Sequence, residues 1–218
     1  MASRGASGIE LRFNIILWNA RGAAEALRRP EDECQVPIIL SAVSLESFFN
    51  EFQNQLEAPL VGARGDPTLE TLAGVLGDLE ENRCSLRLKI RLAYFVLTHR
   101  SLPMGGQHFQ DLDLLFRLRD GLVHAKPATF DMEEPERGYN FNLVRALSSR
   151  HLIPSGSECE PHAWTRHALT PAVARWSFNT ALSTVRDFLN LLAPNQFTRQ
   201  TFESVLDGMA PLAIELAT

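Results

Sequence analysis

The chain has few strand signals. No stretch sustains an apolar/polar alternation of period two, and no Asn-Gly or Asp-Gly turn stands between β-branched runs, which argues against hairpin-built sandwiches and barrels. Long hydrophobic runs are lacking as well. Although 45% of the residues are hydrophobic, no window approaches the uninterrupted length of a membrane span. The opening MASRGASGIELR has none of the apolar core of a signal peptide, so the expectation is a soluble cytoplasmic protein with no membrane partner. Cys34, Cys84 and Cys159 are far apart and odd in number, so they do not read as a disulfide framework and are expected as reduced thiols.

Excess positive charge is missing too. Lys and Arg number 21 against 26 Asp and Glu, a net charge of −5, which is the wrong sign for a protein that coats nucleic acid by generic phosphate attraction. Any such contact has to be local. Arg83, Arg87, Lys89 and Arg91, with Arg100 shortly after, form the one local run of cations, and a solvated helix face is its simplest reading. No phosphate-cradling glycine motif, nucleophile elbow or zinc-protease pair occurs, so neither cofactor nor resident metal is expected.

Helical periodicity runs along most of the sequence. Helices are expected over about Ile9–Arg28, Pro37–Leu56, Thr68–Leu79, Leu86–Thr98, Phe109–Ala125, Phe141–Arg150, Pro171–Leu192 and Arg199–Glu215, separated by breaks rich in Gly and Pro. Residues 127–139 and 153–166, rich in Pro, Glu, Gly and Ser, read as loops. The second helix repeats Ile38, Ala42, Leu45, Phe49 and Phe52 at core spacing and should be central. With no internal repeat, the expectation is a single all-α domain over residues 1–218.

LFRLRDGLVHAKP, residues 115–127, breaks its own pattern. Leu115, Leu118 and Leu122 make a buried stripe, yet Arg119 falls on that stripe, and an unpaired buried guanidinium would cost several kcal/mol. A partner is required. The second helix offers Glu46, among Ala42, Val43 and Phe49, with Asn50 one turn on. Asp120 and His124, four apart, should share a helix face, where the carboxylate could orient the imidazole. Gly121 costs about 1 kcal/mol against alanine inside a helix. A close crossing backbone, such as the same helix of a second subunit, would account for it.

These residues resemble the motif of the HEPN domain family, small α-helical bundles found in nucleases, toxins and defence proteins: Arg119, the polar Asp120, three further positions and His124, followed by AKP. SAVSLESFFNEF, residues 41–52, is similar to the helix bearing alanine, glutamate and asparagine that these proteins place beside the motif. The resemblance covers about Val36 to Pro127 well and the helix after Pro171 loosely. It implies a HEPN-like helical bundle with additional C-terminal helices, and metal-independent RNA cleavage at a homodimer interface in a toxin or defence setting, with an antitoxin or regulator as a further partner. Under it, His124 would move a proton at the ribose 2′-hydroxyl or the leaving oxygen, and Arg119 would hold the phosphate. Asp120, where many members carry asparagine, would orient His124, while Glu46 and Asn50 would position Arg119 or the substrate.

Two other readings stand beside this one. Arg119, Glu46 and His124 could form a satisfied polar network that fixes helix register, or serve a non-catalytic partner- or nucleotide-binding role. Elsewhere, Cys159, His162 and His167 have zinc-like spacing but no fourth ligand nearby, and coincidence is the simpler reading. His99, His108 and His151 read as isolated surface or loop residues.

Overall fold

The computed structural model describes residues 34–57, 66–124, 139–155 and 164–192. Among these the chain forms seven helices and no strand, so the fold is all-α as expected. No described helix is long and apolar enough to cross a membrane. The helices expected over Ile9–Arg28 and Arg199–Glu215 lie outside the described residues.

Helix α1, Gln35–Glu57, starts two residues before the expected Pro37, which sits in the first turn where its missing N–H is harmless. In α2, Pro67–Glu81, the Asp66 carboxylate accepts from the backbone N–H of Thr68 and Leu69 at 2.9 and 3.3 Å. Arg83 then takes a left-handed conformation, φ 52°. Its N–H bonds the Glu80 carbonyl at 2.9 Å, and that of Cys84 bonds the Leu79 carbonyl at 2.8 Å, which closes the helix in a Schellman turn. Helix α3, Leu86–Thr98, has the expected bounds: Ser85 caps its start, and His99, left-handed at φ 54°, closes its end.

Helix α4, Gln107–Val123, begins earlier than Phe109 and ends on His124 as its cap. Helix α5, Tyr139–Ser148, closes on the same device as α2, with His151 at φ 57°. Helix α6, Trp164–Ala168, lies where a loop to 166 was expected. Its buried Trp164 and Ala168 are one helical turn apart, a signal too short to register in a polar window. Helix α7, Pro171–Leu191, carries its proline at the first position, and the Thr170 hydroxyl accepts from the Val173 N–H at 3.3 Å.

Helix α1 packs against α7, α4, α2 and α3, and is therefore the central element. Ile38, Ala42, Leu45, Phe48 and Phe52 have no exposed surface and Phe49 only 1%. Phe188 of α7 stands edge-on to three α1 rings, with centroids at 5.9 Å from Phe48, 4.9 Å from Phe49 and 5.1 Å from Phe52. A second apolar cluster joins the start of α1 to α5, α6 and the first turns of α7, and α4 contributes to both clusters.

Removing the Phe188 ring should leave a cavity against all three partners, so Phe188→Ala is expected to cost about 3–5 kcal/mol in chemical denaturation. Val36→Ala, at a position 44% exposed, should stay within about 0.5 kcal/mol. Equal losses at the two positions would contradict this packing.

Candidate functional site

Helix α4 is wedged between the two clusters. Leu112, Leu115 and Phe116 enter the first and Leu114 and Leu118 the second, so the helix is clamped along two adjacent rows of side chains. Arg119 continues the row of Leu112 and Leu115 where α4 runs alongside α1. There its Nη2 donates to Glu46 Oε1, the cross-helix pairing that two charges on apolar faces demand. The guanidinium also has Nη1 3.2 Å from Asp120 Oδ1, and only 20% of its side chain is exposed. Its Nε is buried without a hydrogen-bond partner among the described residues.

His124 is exposed at the end of the helix, and its backbone N–H bonds the Asp120 carbonyl at 2.9 Å. Its backbone, φ −112° and ψ 52°, has left the helical region. Among the described residues the Asp120 carboxylate pairs with Arg119, and no hydrogen bond or ion pair joins it to the His124 imidazole. Gly121 is half-buried on the turn between Arg119 and His124.

Asn50 is held elsewhere. Its Oδ1 accepts from Lys89 Nζ at 3.2 Å, and the same ammonium pairs with Glu80. Lys89 is 6% exposed, and a buried ammonium needs acceptors, which explains why an amide one turn beyond Glu46 turns to α3 rather than to Arg119. The basic run around Lys89 is therefore not one solvated face. Arg87 also turns inward, 2.8 Å from Asp113 Oδ1 and with its guanidinium carbon 5.9 Å from the Phe116 ring centroid, while Arg83 serves a turn and Arg91 remains exposed.

A second polar concavity went unnoticed in the sequence. Between the start of α4 and one face of α7 lies a cleft of about 470 Å³, lined by His108, Asp111, Arg175, Trp176, Asn179 and Ser183 among others. His108 Nε2 lies 3.3 Å from Thr184 Oγ1 and 3.7 Å from Asp187 Oδ2. The Thr184 hydroxyl proton goes to the Thr180 carbonyl at 2.7 Å, so Nε2 must donate to Thr184, the opposite of the polarity that activates a nucleophile. The cleft lies about 24 Å along α4 from His124 by the helical rise, too far for one reaction centre. No local spacing signals it, because His108 and Thr184 are 76 residues apart.

Of the zinc-like set, Cys159 and His162 lie outside the described residues, and among the described residues no group of His, Cys, Asp or Glu is placed to hold a metal ion. Comparison of the chain with protein-family profiles, with curated proteins and with solved structures finds no match.

The Glu46–Arg119 pair should be measurable as coupling. A double-mutant cycle of Glu46→Gln and Arg119→Met should give an interaction of about 1 kcal/mol, tempered by the 37% exposure of Glu46. A coupling indistinguishable from zero would show that the two charges act independently.

Proposed function

We propose that this chain is a HEPN-like endoribonuclease whose active form pairs two copies of the α4 terminus, with Arg119 and His124 as the catalytic residues. The observation that carries the reading is the Glu46–Arg119 contact, which brings together the two segments on which the HEPN resemblance rests and leaves His124 exposed at the end of the same helix. With two copies face to face, one imidazole would accept the 2′-hydroxyl proton as that oxygen attacks phosphorus. The other would protonate the departing 5′-oxygen. The products are a cyclic phosphate and a free hydroxyl, and no metal is consumed or required. Two arginines would stabilise the charge on the non-bridging oxygens. Glu46 positions Arg119, and Gly121 leaves room for the partner's backbone.

A non-catalytic reading has its own support: Arg119 already faces two carboxylates, Glu46 and Asp120. In that case the same end of α4 is a register-fixing network in a module that binds a regulator or a nucleotide, and RNA is not cut.

Purified chain incubated with mixed RNA in chelator decides between them. Cleavage is expected, and His124→Ala should abolish it while changing stability by less than about 0.5 kcal/mol, because the ring is exposed. Undiminished cleavage by His124→Ala would overturn the nuclease assignment, as would intact RNA with the unaltered chain. Asp120→Asn, which removes one carboxylate from the arginine, should raise the rate.

A further inference from the structure

From Arg83 to Gln110 the chain contains no Asp or Glu, within a protein whose net charge is −5. This span covers α3, its flanking turns and the first turn of α4. Two of its cations are paired with carboxylates of neighbouring helices, Arg87 with Asp113 and Lys89 with Glu80. What remains outside is different in kind. Arg91 and Phe95, four residues apart, lie one above the other on the outer face of α3, and His99 and Arg100 follow at its C-terminus. All four are exposed, and neither Arg91 nor Arg100 has a carboxylate partner among the described residues. Phe95, with 50% of its surface exposed, is the one large hydrophobic residue of α3 that is left in water.

We infer that this ridge, Arg91 and Phe95 with Arg100 beyond them, is a docking surface for single-stranded RNA. The inference rests on the RNA reading above and adds a place, away from the reacting groups, where the strand is held. Unpaired guanidiniums meet phosphates, and an exposed phenyl ring between them offers a face for an unstacked base, the combination by which single strands are bound without sequence preference. Duplex RNA hides its base faces and cannot use Phe95. An anionic membrane would call for a broad apolar face, which a single phenylalanine between arginines does not supply.

The experiment uses the full chain with His124→Ala throughout, so that anisotropy of a labelled single-stranded RNA reads binding alone. Phe95→Ser should weaken binding about tenfold. Arg91→Gln with Arg100→Gln should lower the slope of log affinity against log salt by about 1.4, the value for two phosphate contacts on a single strand. Unfolding midpoints should hold for the two arginine changes, which are exposed, and drop only slightly for Phe95→Ser, whose ring is half exposed, leaving each variant folded at the assay temperature. Duplex RNA should bind equally well with and without Phe95→Ser. Unchanged single-strand binding in these variants would overturn the inference, as would tighter binding to phosphatidylserine vesicles or to polyglutamate than to the RNA. Cleavage by the unaltered chain is scored separately. If RNA is cut but the ridge variants bind normally, the docking surface falls and the nuclease stands; if RNA is not cut but the ridge variants bind weakly, the reverse holds.

Discussion

The contact on which the rest of the molecule depends is the set of four phenylalanines between α1 and α7. Phe48, Phe49 and Phe52 project from one stretch of α1, and the Phe188 ring meets all three edge-on. Aromatic side chains bury large areas and constrain relative orientation, so this set fixes both the separation of the two helices and the rotation of α1 about its axis. Once that rotation is set, the positions of Glu46 and Asn50 are determined. Glu46 faces α4 and Asn50 faces the amine on α3, and each meets a cation set on an otherwise apolar helix face.

The polar contacts accordingly work as fasteners on an apolar frame. Lys89 ties α3 to α1 and α2, Arg87 ties α3 to α4, Arg150 ties the end of α5 to Asp111 of α4, and Arg119 ties α4 to α1. The last of these lies within one turn of the helix end that carries Gly121 and exposed His124. Under the nuclease reading, a fastener in that position has a second use. The guanidinium is held in place by one carboxylate of another helix, while its neighbour Asp120 is half exposed and can yield to a competing anion. Positioning and function are therefore compatible at Arg119 in a way they are not at buried Lys89.

Much of this was legible in the sequence, and the reasons differ from element to element. Helix α3 could be bounded because a serine cap precedes an unbroken apolar period. The Glu46–Arg119 pair could be anticipated because each charge interrupts a buried stripe, and buried charges need partners. The contact of Asn50 with Lys89 is not legible because a one-dimensional reading treats Lys89 as part of a surface run and cannot see that its amine points inward. Among the described residues the Asp120 carboxylate pairs with adjacent Arg119, a choice of partner that the four-residue spacing to His124 does not register. Helix α6 escapes a sequence reading because five residues hold too little periodicity, and the cleft at His108 does so because its walls come from two segments far apart in the chain.

The central claim is that Arg119 is held by Glu46 and yet remains able to meet a phosphate. Its Nε, buried and without a hydrogen-bond partner among the described residues, is a reporter for that. The direct measurement is the arginine Nε–H correlation spectrum of the protein during titration with 2′-O-methyl RNA, which keeps the phosphates and blocks cleavage. A saturable shift of the Arg119 signal that disappears in high salt is expected. An Arg119 signal unchanged at RNA concentrations that saturate binding would contradict the claim and leave the residue a structural clamp.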